Sequence, residues 1–267
     1  MIVSHAHRFV FFHNPKAGGT SVRQAIEGLN DVGFGLWGAD PSQTGGAEVD
    51  RAHMGIDEFA GHYPDLWETV QGYRMFCLCR DPRARFLSSV SEHSKNFGAA
   101  DLRFTDPATG RDILFHTIDM LSGFAGAEDP RLMADIRLTH FRPQHIYWRS
   151  GRDGVAVEAF ATRDIPGFLA AVSDLAGTPL EARHENAARS YRLPGPLQRL
   201  SRSGALRRGL SRLPGGTKIT GALKSRYAAK TGRGLALDAK DEARITDFVQ
   251  DFYALDYKTW PLVDRPA

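Results

Sequence analysis

Cysteine is almost missing from this chain: its 267 residues include two, Cys77 and Cys79. Alternate residues of one strand line the same face, held apart by the extended backbone, and do not suit a disulfide, so a disulfide-stapled scaffold is excluded and both are expected to be core thiols. The ten histidines include no His-Glu-x-x-His, and no cysteine pair has zinc-ligand spacing, so no structural or catalytic metal is expected. No apolar run approaches the roughly 20 residues that span a bilayer. The N-terminus also lacks the basic flank and apolar stretch of a secretion signal, which makes the cytoplasm the expected address.

Acidic residues are absent from Asn186 through Leu237, a stretch that carries twelve Lys and Arg. The formal net charge of +3 therefore hides a basic arm on an acidic remainder. Leu206, Leu210 and Leu213 recur there at helical spacing beside Arg207, Arg208 and Arg212, the pattern of a basic amphipathic helix, although Gly204, Gly209 and Gly215-Gly216 weaken it. The expectation is a solvated insertion at about 194–235. Functional alternatives for it are gripping an anionic glycan, closing over a nucleotide, or touching anionic lipid. No nucleic-acid partner is expected, because neither a binding motif nor an aromatic platform accompanies the charge.

What is present is ordinary globular composition, 42% hydrophobic and 24% charged, on a chain long enough to bury a full core. One domain over 1–267 is expected. Phe9-Val10-Phe11-Phe12 reads as a short strand buried on both faces. It runs into His13-Asn14-Pro15-Lys16-Ala17-Gly18-Gly19-Thr20-Ser21. Gly18 and Gly19 permit a tight turn and close approach of a ligand to the backbone, and Thr20 and Ser21 fall where a helix start leaves free N–H groups. Those groups and the helix dipole attract an anion, and Lys16 adds a full positive charge. The following helix is expected to reach about Leu29, with Val22, Ala25, Ile26 and Leu29 on one face. This is not the Gly-x-x-x-x-Gly-Lys-Ser/Thr loop of nucleoside triphosphatases, because Lys16 precedes the glycines.

A second strand-like run, Tyr73 to Cys79, leads into Arg80-Asp81-Pro82-Arg83-Ala84-Arg85-Phe86-Leu87-Ser88. Asp81 is placed to cap a helix that begins at Pro82, with Phe86, Leu87 and Val90 as its buried stripe and Arg85 and Ser88 sharing a face. If the two strands are parallel neighbours, both loops open at the same edge of the sheet, where open α/β folds bind ligands.

The first loop resembles the Pro-Lys-Thr-Gly-Gly-Thr-Ser loop of the sulfotransferases that act on carbohydrates with 3'-phosphoadenosine 5'-phosphosulfate (PAPS), with Ala17 in place of the usual threonine. The second resembles that family's Arg-Asp-Pro-x-x-Arg-x-x-Ser element. The resemblance implies an α/β, P-loop-like three-layer fold with a central, mainly parallel sheet. It assigns the 5'-phosphosulfate to Lys16, Ala17, Gly18, Gly19, Thr20 and Ser21, and the 3'-phosphate to Arg80 and Ser88. Weaker echoes are Arg142-Pro143-Gln144, expected before a short strand, His184-Glu185-Asn186 after the next helix, and the ending from Tyr253 to Trp260. Animal members are held in the Golgi by an N-terminal membrane anchor, so the resemblance without one implies a bacterial-type soluble form.

The glycine-rich region Asp31 to Gly46 is expected to form an active-site loop. It leads to His53, between the two anion loops, whose imidazole titrates near neutrality and suits proton abstraction from an acceptor hydroxyl. In several family members a histidine in this segment is the base; Glu48 and Asp50 are the alternatives here. The resulting expectation is a PAPS-dependent sulfotransferase, with Lys16 and His53 catalytic, a carbohydrate or other hydroxyl-bearing acceptor, and adenosine 3',5'-bisphosphate (PAP) as product. Two alternatives stay open: a small-molecule or nucleotide kinase on the same frame, and a non-catalytic nucleotide-binding protein.

Overall fold

A computed structural model describes residues 1–32, 39–40, 49–97, 102, 105–181, 190–191, 228–229 and 235–263. The fold is mixed α/β. Its centre is a four-stranded sheet in the order β1-β2-β5-β6, built from β1 (Ile2–Ser4), β2 (Phe9–Phe12), β5 (Arg74–Cys79) and β6 (Val157–Ala161). β1 runs antiparallel to β2, and the other two pairings are parallel, with Phe9 opposite Arg74 and Phe12 opposite Cys77. β3 (Ala39–Asp40) pairs with β4 (Val49–Asp50), and β7 (Ser190–Tyr191) with β8 (Ala228–Ala229), each as a two-residue antiparallel ladder.

The two-residue period of a strand sorts the aromatic run onto both faces. Val10, Phe12, Met75 and Cys77 pack on one face with Phe59 of α2 (Ile56–His62) and with Trp67 and Val70 of α3 (Pro64–Val70). Phe9, Phe11, Phe76 and Leu78 pack on the other with Val22 and Ile26 of α1 (Gly19–Ile26) and with Phe168, Leu169 and Val172 of α7 (Ile165–Ala176). Helices therefore flank the sheet on both sides. Cys77 and Cys79 are buried free thiols, as expected, and burial pushes the Cys77 thiol well up.

A third apolar cluster joins α4 (Pro82–Phe97), α5 (Pro107–Leu121), α6 (Pro130–Ala134), α8 (Ala239–Phe252) and the start of α9 (Ala254–Val263). Phe86 and Val90 of α4 point into it and Leu87 is half-buried, so the expected stripe forms. Ala84 N–H donates to Asp81 Oδ1 at 2.8 Å, which is the cap expected before Pro82. Helix α1 stops at Ile26 and continues as a 3-10 turn to Leu29.

One local expectation is corrected. Arg142-Pro143-Gln144 precedes a 3-10 turn, His145–Tyr147, rather than a strand. Asp256 of α9 is the physical reason: its carboxylate accepts from the backbone N–H of both Gln144 and His145 at 2.9 Å, wrapping the chain around one side chain instead of leaving those donors for a sheet. The glycine-rich stretch 33–38 and 41–46, His184-Glu185-Asn186, Glu48 and nearly all of the basic arm lie outside the described residues. Among the described residues, no helix is long and apolar enough to cross a membrane.

Phe76 is fully buried and lies edge-on to Phe9 and Phe168. Phe76→Ala is expected to destabilise the fold by about 3–5 kcal/mol, seen as a lower urea midpoint at unchanged m-value.

Candidate functional site

Because β2 and β5 are parallel neighbours, the chain leaves both at the same edge of the sheet. After β2 it turns through Lys16 and Gly18, both with left-handed backbone (φ 64° and 81°), and enters α1 at Gly19. For a residue with a Cβ this conformation costs roughly 1–2 kcal/mol, so the strain at Lys16 has to be held by its surroundings. Gly19 has a different constraint: a Cβ there would lie 2.0 Å from His13 Nε2, so the imidazole occupies the space any other side chain needs. The N-cap of α1 is Gly18, and no side chain caps it.

A buried polar staple holds this loop to the one after β5. Asn14 Nδ2 donates to Leu78 O at 3.0 Å and to Gln144 Oε1 at 3.2 Å. Gln144 Oε1 also accepts from Arg80 N–H at 3.2 Å, while Gln144 Nε2 donates to Arg80 O at 2.8 Å. Arg85 is 1% exposed; its Nε donates to Asn14 Oδ1 and to Pro15 O, both at 3.1 Å, and its Nη2 to Arg142 O at 2.9 Å. Arg80 Nη1 donates to Lys16 O at 3.3 Å, so the two loops touch directly. Burial holds the Arg80 guanidinium below its ordinary pKa, with Asp81 pulling the other way.

Of the residues expected to bind an anion, Lys16, Ala17, Gly18, Gly19, Thr20 and Ser21 form the turn and first residues of α1, and Arg80 meets that turn. Ala17 is fully buried in the apolar cluster beneath α1, and Ser21 is half-buried. Ser88 is half-buried on α4. Arg85, grouped with Ser88 by helical spacing, turns into the staple instead. The Lys16 ammonium is already paired, with Glu92 Oε2 at 3.2 Å.

His53 lies beside the first loop. Its Nδ1 is 2.9 Å from His13 O; a carbonyl can only accept, so Nδ1 carries the proton and Nε2 keeps its lone pair. Tyr147 Oη donates to His53 O at 2.8 Å, fixing the backbone. The rings of His13 and His140 lie edge-on to His53, with centroids 4.6 and 5.6 Å away. Burial lowers the pKa of His53 to about 3 and that of His140 to about 3, the latter helped by the charge of Lys16; burial also pushes His13 well down. Asp50, the alternative base, accepts from Ala52 N–H at 3.0 Å, and burial raises its pKa.

Motif reading singled out Lys16, Arg80 and His53 but missed His140, Glu92 and the staple function of Asn14 and Arg85. Gln144 stands in the Arg-Pro-Gln echo and Arg85 in the Arg-Asp-Pro-x-x-Arg-x-x-Ser element, so both were visible as motif residues but not as parts of a staple. A separate cleft of about 340 Å3 is lined by Glu58, Glu128, His145 and Arg149 among others, and none of its lining residues belongs to the two loops. Among the described residues no group of three or more metal-ligating side chains is placed to hold an ion.

Comparisons with models of protein families, with curated proteins and with solved structures found no match.

The neutral histidines carry a pH signature. Each has a folded pKa below the unfolded value of about 6.5, so the unfolded chain binds more protons and stability is lost as pH falls from there toward the folded values. Urea unfolding is expected to show this loss between about pH 6.5 and 4.5, above most carboxylate titration, with a shallower slope in His140→Gln.

Proposed function

We propose that this protein is a PAPS-dependent sulfotransferase on a P-loop-like frame, acting on a hydroxyl of a carbohydrate or glycoconjugate. The observation that carries the reading is the direct contact between its two cationic loops, Arg80 Nη1 on Lys16 O, at the shared edge of parallel strands. A bis-phosphorylated nucleotide presents two anionic ends, and two adjoining cationic loops suit it. The motif resemblance supplies the identity of the donor; the contact supplies a physical basis for one ligand reaching both loops.

In this reading Lys16 and the free N–H groups at the start of α1 stabilise the sulfuryl group and the departing 5'-phosphate. Arg80 and Ser88 hold the 3'-phosphate, which distinguishes the donor from ATP and contributes binding energy remote from the reacting atoms. The acceptor oxygen forms a bond to sulfur while the bond from sulfur to the 5'-phosphate oxygen breaks. The acceptor proton passes to His53 Nε2, the nitrogen left unprotonated by the bond to His13 O. The products are a sulfate ester and PAP.

The depressed pKa of His53 bears on this role. In the ligand-free protein the ring is neutral at pH 7, ready to accept a proton, but a weak base. Negative charge arriving with the donor raises its proton affinity, so base strength and donor binding are coupled.

Thermal-shift measurements test the donor: PAP is expected to raise the melting temperature more than ADP or ATP at equal concentration, and a response to ATP with magnesium but none to PAP would favour the kinase reading. Arg80→Ala is expected to weaken PAP binding by about 2–5 kcal/mol by calorimetry. Lys16→Ala and His53→Ala are each expected to lower turnover at least about 100-fold; normal turnover in His53→Ala would remove it as the base.

A further inference from the structure

Lys16 is not waiting empty-handed. Its ammonium sits 3.2 Å from Glu92 Oε2, with both side chains about one quarter exposed. The other oxygen of the same carboxylate, Oε1, accepts from Lys95 Nζ at 2.9 Å and from Asn96 Nδ2 at 3.3 Å. Glu92 stands one helical turn after Ser88 on α4, so both lie on the same side of that helix. Burial opposes the charge on Glu92, but the bonds from Lys95 and Lys16 prevail and lower its pKa to about 2. It is therefore an anion across the physiological range.

We infer that Glu92 is a resident counter-ion which competes with the donor's phosphosulfate end for Lys16, and so sets the affinity and charge selectivity of the site. The inference rests on the reading of Lys16 as a donor ligand. Two features of the geometry and a balance of charge support it. The backbone of Lys16 is pinned, with its carbonyl on Arg80 and its φ at 64°, so exchange of partners requires rotation of the side chain alone. Glu92 keeps Lys95 and Asn96 when Lys16 leaves, so the exchange strands no buried carboxylate. Finally, a monovalent anion would only replace one negative charge on Lys16 by another, with nothing gained. A ligand of higher charge that also reaches the N–H groups of α1 and the guanidinium of Arg80 outcompetes the carboxylate. Chloride or acetate would not displace Glu92, whereas a polyanionic phosphosulfate would.

A double-mutant cycle read by calorimetry with PAP as probe tests this. Wild type, Glu92→Gln, Lys16→Met and the double variant are titrated at fixed ionic strength. Glu92→Gln is expected to tighten PAP binding by about threefold to fivefold, the range for a solvent-screened pair. In the Lys16→Met background the same change is expected to shift affinity by less than about 1.5-fold. Unchanged or weaker binding in Glu92→Gln overturns the inference. So does an equal gain in both backgrounds, which would be the general effect of removing a negative charge. If the wild type binds no PAP, the donor assignment fails separately, and pyrophosphate titrated into the same four proteins then decides the role of Glu92 by the same criteria.

Discussion

The arrangement hinges on one buried guanidinium. Arg85 sits almost fully enclosed with no ion-pair partner among the described residues, its Nε donating to Asn14 Oδ1 and Pro15 O and its Nη2 to Arg142 O. Burying a charge this way is tolerable only because several polar acceptors surround it, and the arrangement ties three separate chain segments to one point. Asn14 and Gln144 extend the network to Leu78 and Arg80, which sets the loop after β2 at a fixed distance from the loop after β5. The left-handed backbone at Lys16 is sustained against this support.

The electrostatics of the region follow from the same enclosure. Arg80, Arg85, Arg142 and Lys16 bring positive charge to one end of the sheet, and burial with neighbouring cations keeps His13, His53 and His140 neutral. Glu58 pairs with Arg142 and Glu92 with Lys16, so part of that charge is answered within the fold. Glu58 is tied down at the start of α2, where it also accepts from Gly55 N–H. Glu92 shares its oxygens between two lysines and an asparagine, so it can yield Lys16 and still keep Lys95 and Asn96. Under the proposed function, anion capture here would be an exchange of counter-ions, because Lys16 is already paired with Glu92.

Much of the frame was legible in the chain itself. Phe9 to Phe12 and Met75 to Cys79 are apolar on both faces, which requires strands covered on both sides, and Asp81-Pro82 marks a helix start by cap and by proline geometry. Gly18 and Gly19 announced a turn, although the reason for Gly19 is a packed histidine that sequence spacing does not reveal. Arg142-Pro143-Gln144 was visible as a motif, yet its local form depends on Asp256, more than a hundred residues later, whose carboxylate claims two backbone donors. Helical spacing likewise grouped Arg85 with Ser88, but spacing fixes only which face a side chain leaves from.

Periodicity, capping residues and glycine placement are local properties, and they sufficed by themselves to mark β2 and β5, the helix starts that follow them and the two cationic loops between. Only the tertiary structure decided that β2 and β5 lie side by side and parallel, that Arg85 is a structural tie, that His53 presents Nε2 with its proton held at Nδ1, and that Lys16 already has Glu92 as partner. Each of those outcomes depends on pairing between groups distant in the chain. Such pairing is selected by burial and by the need to satisfy every enclosed polar atom, a condition that exists only once the chain has folded.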